Sequence, residues 1–277
     1  MKIYISVDME GITGVTHSRQ CSPDHPEYGR FRRLMTQDVN AAIEGALAGG
    51  ATEFLVNDSH GPMTNVLIEE LHPKAQLLQG ANKHLAQMEG IDESFDAVFF
   101  IGYHAREGRD DGVINHTLLG RTVYEIRLNG DPVDEAAINA GIAGHFGVPV
   151  ALLTGDDAVT EDAQRRFPGV TVAQVKTSIN RFTAACLGVE ESHRLIREKA
   201  EEAVKKIKDL QPYVPAAPYR FEVDFKSTAS AHMALLIPGV ERKGGRTVAF
   251  ETENYLEAFK VLWAVLILGN ASREGIL

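Results

Sequence analysis

The run Ala97-Val98-Phe99-Phe100-Ile101-Gly102-Tyr103, closed by His104, decides the fold. It carries no charge and is apolar at both odd and even positions. A strand with two apolar faces needs cover on both sides, which a parallel sheet between helices supplies. Other strands should then flank it, each followed by a helix. Upstream, Lys2 to Met9 reads as a strand, and about Pro26 to Leu47 as an amphipathic helix closed by Gly49-Gly50. Glu53 to Asn57 is a second strand, Val66 to Leu71 a short helix, and Ala75 to Gln79 a third strand. Downstream, Arg121 to Leu128 and Asp131 to Val133 form a hairpin around Asn129-Gly130, the favoured pair for a two-residue turn. A helix from about Asp134 to His145, a strand over Val148 to Leu153, a further helix and a strand near Val170 to Val175 follow.

Past that strand the character changes. Glu190 to Leu210 is a long charged helix, and Pro212, Pro215 and Pro218 make a connector. The last third reads as strand (Arg220 to Lys226), helix (Thr228 to Leu236), strand (Arg246 to Glu251) and helix (Tyr255 to Leu268). The expected fold class is α/β: a mainly parallel sheet flanked by helices, with a smaller C-terminal α+β part. Residues 1–187 would form the α/β metal-binding domain. Residues 188–277 would form the smaller part, packed with it as one unit.

The composition agrees with a globular chain. Of 277 residues, 44% are hydrophobic and 24% charged, which leaves room for a sizeable core. The formal net charge of -10 disfavours a nucleic-acid partner, whose backbone needs a positive surface. The start, Met1 to Gly14, lacks the apolar stretch of a signal peptide. Phe259 to Leu268, at about ten residues, is too short to span a bilayer. It reads as a buried helix or one that docks on a partner subunit. Cys21 and Cys186 make no metal or disulfide motif and are expected to be reduced thiols in a cytoplasmic protein.

The chemistry lies at the strand ends. Asp8 and Glu10 are two apart, so both carboxylates can share one face. His60 follows the second strand in Asn57-Asp58-Ser59-His60-Gly61, and His104 closes the central run. Ligands of open parallel sheets bind at the carboxyl ends of the strands, so these four residues would gather there. An acid at the start of the later helix could join them. Asp134 and Glu135 fit that place equally well, since either also complements the helix dipole. Imidazoles with carboxylates suit zinc better than magnesium. Five ligands exceed one tetrahedral ion but suit two, with Asp8 as the bridge. Three carboxylates and one hydroxide would then balance four positive charges. His116, in Asn115-His116-Thr117, is a candidate for moving protons. The remaining histidines read as surface or packing residues.

The string Ser6-Val7-Asp8-Met9-Glu10-Gly11 resembles the S-x-D-x-E-G signature of the D-aminopeptidases of peptidase family M55. The resemblance continues through Asn57 to Gly61, Gly102 to Ala105, Asn115 to Thr117, Leu128 to Gly130 with Glu135, Val148-Pro149, and Thr154 to Asp156. Ala231 to Gly239 and Arg246 to Glu251 fit as well. It implies two zinc ions per subunit on Asp8, Glu10, His60, His104 and Glu135, with Asp8 bridging, and His116 as the catalytic residue. It implies release of N-terminal D-amino acids from short peptides such as D-Ala-D-Ala, and a decamer of two stacked rings. Val133-Asp134-Glu135 departs from the G-E expected there but keeps the ligand. Two other readings stand beside this one. The first is a different two-metal hydrolase, an amidase or a phosphoesterase. For the phosphoesterase only Arg106 and Arg109 lie close in sequence to a ligand. The second is a non-catalytic ring scaffold with structural metals, against which stands the absence of cysteines among the candidate ligands.

Overall fold

The structure is a computed structural model and describes residues 1–272. Its frame is a seven-stranded sheet in the order β3-β2-β1-β4-β7-β8-β9. The strands are β1 (Lys2–Val7), β2 (Glu53–Asp58), β3 (Ala75–Leu78), β4 (Ala97–Ile101), β7 (Val150–Asp156), β8 (Thr171–Asn180) and β9 (Thr183–Cys186). All neighbours pair in parallel except β8 and β9. The central run behaves as its two apolar faces require. Ala97, Phe99 and Ile101 pack with α1 (Tyr28–Ala48) and α4 (Val189–Lys206) on one side. Val98 and Phe100 pack on the other with α2 (Glu135–His145), α3 (Asp157–Arg166) and α6 (Tyr255–Ala271).

A second sheet of five strands is antiparallel, in the order β11-β12-β10-β5-β6. It combines β5 (Val123–Leu128) and β6 (Asp131–Pro132) with β10 (Tyr219–Phe225), β11 (Glu241–Arg242) and β12 (Thr247–Thr252). The short α5 (Thr228–Ala234) lies against α6. The β5–β6 turn holds Asn129 and Gly130 at φ of 53° and 90°, the signs that a twisted two-residue hairpin needs. The boundary expected near residue 188 and the division between the sheets fall in different places. The hairpin precedes residue 188 but joins the second sheet, while α4 follows it and packs on α1 beside the first.

The expected helix over Val66–Leu71 is instead a series of turns. Its amides are taken from outside: the Asp58 carboxylate accepts from Asn65 N and Val66 N, and Thr36 Oγ1 accepts from Leu67 N. The backbone entering the segment is thereby fixed from outside, and the turn that follows closes through Glu70 N to Leu67 O at 3.0 Å, three residues apart and not the four of an α-helix. The strand expected over Val170 to Val175 runs on to Asn180 and folds back as β9. Its polar, exposed outer half hid it from hydrophobic patterning. The C-terminal helix buries Phe259, Leu262, Val265 and Leu266 in the core of the chain itself. No helix among the described residues is long and apolar enough to cross a membrane. Cys21 is buried, Cys186 is exposed, and both are free.

Strand order places the site. From β1 the chain moves outward through β2 and β3, then returns to β4 and proceeds the other way through β7 and β8. The reversal lies between β1 and β4, and a crevice opens at their carboxyl ends. The two loops leaving these strands touch. Asp8 N donates to Ile101 O, and Gly11 N to Gly102 O, each at 2.8 Å. A Cβ on Gly11 would lie 1.8 Å from Tyr103 O, so only glycine allows this approach.

Candidate metal centre

Six residues meet in that crevice. Asp8 and Glu10 come from the end of β1, His60 from β2, His104 from β4, His116 from the loop before β5, and Glu135 from the first turn of α2. They form two adjoining triads whose ligand atoms lie within 4.8 Å of one another: Asp8, Glu10 and His60, and His104, His116 and Glu135. His60 Nδ1 is 2.9 Å from Glu10 Oε2 and 3.2 Å from Asp8 Oδ1. His104 Nε2 is 3.2 Å from Glu135 Oε1 and 3.5 Å from Asp8 Oδ2. Asp8 therefore turns one oxygen to each triad. His116 Nε2 stands farther off, 3.8 Å from Glu135 Oε1 and 4.0 Å from Glu10 Oε1. Its ring stacks on His104 with centroids 4.1 Å apart.

Each histidine gives its other nitrogen to a backbone carbonyl. His60 Nε2 donates to Cys21 O at 2.9 Å, His104 Nδ1 to Ala105 O at 3.0 Å, and His116 Nδ1 to Ile114 O at 2.8 Å. These bonds place the N–H on the outer nitrogen and aim three lone pairs inward, the usual arrangement around a ligated metal. The buried Nε2 of His104 has no hydrogen-bond partner. A buried imidazole nitrogen facing two carboxylates at 3.2 and 3.5 Å calls for a cation between them, a proton on the ring or a metal ion in its place.

The electrostatics agree. Burial opposes the charge on Asp8, but His104 and His60 outweigh it and hold the carboxyl well below its ordinary range. Burial likewise opposes charge on His60 and His104. Glu10 and Asp8 around the first, and Glu135 and Asp8 around the second, still push both well above 6.5. Burial works against Glu135 too, and His104 overcomes it. The cluster draws positive charge between its carboxylates, and zinc with nitrogen and oxygen donors is a fitting occupant.

Asp134 and Glu135, equivalent by spacing, have separate tasks. Asp134 caps α2, accepting from Ala137 N at 2.7 Å, and burial raises its carboxyl pKa. Glu135 points at His104 and accepts from Leu118 N at 2.6 Å and from Gln87 Nε2. Gln87 in turn accepts from Asn139 Nδ2 at 2.6 Å. Two supports were invisible in the sequence. Gln87 sits in a loop with no motif. Lys176, on β8 and 1% exposed, donates to the carbonyls of Glu10, Ile12 and Val15 at 2.6, 3.1 and 2.7 Å. The signal available was one lysine in a strand otherwise bound for the core. Lys83 Nζ holds the end of β2 through Asn57 Oδ1 at 2.6 Å and Asp58 O at 2.7 Å, and burial lowers its pKa to about 8.

The two triads open into a cavity of about 380 Å³, walled also by Cys21, Met63, Leu118, Leu119, Arg121 and Trp263. Arg106 and Arg109 do not reach it. Arg109 is engaged with Asp111 and Asp162, and Arg106 lies 3.7 Å from Glu125. The other seven histidines lie outside both triads.

Comparison with known proteins agrees over nearly the whole length. The family model described as D-aminopeptidase, peptidase family M55, matches residues 1–264. A D-aminopeptidase of Bacillus subtilis (strain 168) is 38% identical over 263 residues, covering 95% of each chain. A solved structure, the "Zn-dependent D-aminopeptidase DppA from Bacillus subtilis, a self-compartmentalizing protease", superposes with a TM-score of 0.95. That pair shares 36% identity over 98% of this chain and 99% of that one. The matched span includes every strand that delivers a residue to the crevice, and the chain belongs to the D-aminopeptidase family, peptidase family M55.

Proposed function

We propose that the chain is a zinc-dependent aminopeptidase that releases N-terminal D-amino acids from short peptides such as D-Ala-D-Ala. Asp8, Glu10, His60, His104 and Glu135 would hold two zinc ions, with Asp8 between them. The observation that carries this is the split of Asp8, one oxygen toward each triad, with three histidine lone pairs aimed at the same crevice. Two divalent ions held there would supply an activated water and a polarised carbonyl.

The chain's own groups supply the rest. Asp8, Glu10 and Glu135 at the deep end of the cavity would balance most of the charge of two divalent ions, so the free amine of a peptide would be held there as a ligand and not as a counter-ion. His116 is set apart from the five. It is the most open of the three histidines, with 17% of its side chain exposed against 11% for His60 and 1% for His104. Its inward nitrogen is the basic one, because the other donates to Ile114 O. From there it can take a proton at Nε2 and pass it to the departing amine. The hydrogen bond that Leu118 N donates to Glu135 Oε1 ties the His116 loop to the site. By likeness to the self-compartmentalizing relative, the chain would assemble around an inner chamber that only short peptides enter; the motif resemblance makes that assembly a decamer, and two unpaired cysteines suit the cytoplasm.

Zinc titration of the chelated protein tests the site. Uptake should end at two equivalents per chain. Asp8→Ala should abolish tight binding and activity together. His116→Ala should keep both equivalents while turnover drops by about 10²–10⁴-fold. Uptake ending at one equivalent would remove the paired site, and full turnover in His116→Ala would remove that residue's role.

A further inference from the structure

We propose that Arg121 binds the free α-carboxylate of the peptide, so that the cavity selects substrates whose chain ends one or two residues beyond the cleaved bond. This rests on the peptidase reading above and adds the group that reads substrate length. The charges along the cavity are uneven. Its deep end holds the buried carboxylates Asp8, Glu10 and Glu135, and Arg121 is the one lysine or arginine in its wall. Arg121 is exposed, which puts it at the mouth. A short peptide has two matching ends, an amine that would be held as a ligand at the metal centre and a carboxylate that suits a guanidinium.

Among the described residues, Arg121 is also uncommitted. Nearby arginines are paired: Arg109 with Asp111 and Asp162, Arg127 with Asp224, Arg181 with Glu107. Among the described residues no carboxylate lies within 4.0 Å of Arg121, and its guanidinium makes no hydrogen bond there. The backbone that carries it is pinned on both sides. Gly120 O accepts from Lys226 Nζ at 2.6 Å, and Thr122 Oγ1 donates to Asn270 Oδ1 at 2.8 Å. Three residues earlier, Leu118 N is bonded to Glu135 Oε1. A free guanidinium on a fixed base, facing a cavity, is a prepared carboxylate site, because its fork of donors matches two oxygens at once.

The length scale fits. Three residues span at most about 11 Å, so the Arg121 backbone lies no farther than that from the Glu135 contact. An extended dipeptide covers about 7 Å and a tripeptide about 10 Å. A peptide of two or three residues with its amino end at the metal centre is therefore of the same length scale as the span to the Arg121 backbone. Leu118 and Leu119 between these ends give apolar contact for small side chains.

The test uses the zinc-loaded full chain, with Arg121→Gln and Arg121→Lys, on D-Ala-D-Ala and on its C-terminal amide. Wild type should show a lower KM for the free acid than for the amide. Arg121→Gln should raise KM for the free acid about 10–100-fold, the scale of a lost charged hydrogen bond, while kcat holds. The penalty should largely spare the amide, and Arg121→Lys should recover part of it. An equal penalty on acid and amide, or none on the acid, would overturn the assignment while leaving the peptidase reading in place. If wild type cleaves neither compound, the peptidase reading falls and the Arg121 assignment falls with it.

Discussion

Asp8 shows how one side chain can organise two sites. Its Oδ1 faces His60 and its Oδ2 faces His104, and the amide of Met9 donates to Oδ1 at 2.8 Å. The carboxylate has no freedom to choose one triad over the other. Lys176 does comparable work on the backbone. Its ammonium collects three carbonyls from Glu10 to Val15 and so sets where the chain goes once it has delivered Asp8 and Glu10. Lys176→Met would leave those carbonyls unsatisfied at about 1–3 kcal/mol each. The variant should melt lower, and its folded fraction should bind zinc roughly 10–100-fold more weakly, as expected when an outer support is lost. Calorimetric zinc binding at a temperature where the variant is folded checks this. Unchanged affinity would reduce Lys176 to a packing residue. The contacts of Lys176 were not legible in sequence. The partners of Lys176 are backbone carbonyls more than 160 positions away, and a carbonyl carries no residue-type signal. The candidate ligands were legible because acids and histidines at strand ends are few, and strand ends converge.

Among elements, the reversal between β1 and β4 brings Asp8, Glu10 and His104 together, and β2 adds His60 from one strand away. Continuous apolar runs told of these strands, since covered parallel strands must be apolar on both faces. Turns built by side-chain acceptors escaped that logic. Val66–Leu71 carries apolar residues near helical spacing, yet Asp58 and Thr36 take its amides. The choice between Asp134 and Glu135 needed the helix start itself, where the cap residue is spent on Ala137 and the next residue faces inward. The Lys83 clamp on the end of β2 gives a pH signature. Its folded value is lowered to about 8 from 10.5, so between these limits the unfolded chain holds more proton than the folded one. Stability then rises with pH across that window, and the cost of burying the charge is felt in full below it. Subtracting the stability of Lys83→Met from that of wild type at each pH should give a difference that climbs from pH 8 to 10.5. A flat difference would mean that Lys83 titrates at its ordinary value.

At the scale of the whole molecule, two sheets divide the work. The parallel sheet presents four ligand candidates along one edge. The antiparallel sheet, through the β5–β6 hairpin, carries the chain from the His116 loop into α2 and so delivers Glu135 across the crevice. The mainly parallel frame was readable from alternating strand and helix patterns. Recruitment of the hairpin into the second sheet was not, because its partner β10 lies about a hundred residues later and pairing between distant strands leaves no local pattern. Both sheets thus serve one proposal, that paired zinc ions in this crevice would cut D-peptides. Its most direct test is hydrolysis of D-Ala-D-Ala and of L-Ala-L-Ala by the purified full chain, before chelation, after chelation and after zinc is restored. Cleavage of the D-peptide alone, lost on chelation and regained with zinc, is the predicted result. Turnover that survives complete chelation, or a zinc-loaded protein that cuts neither peptide, would contradict it.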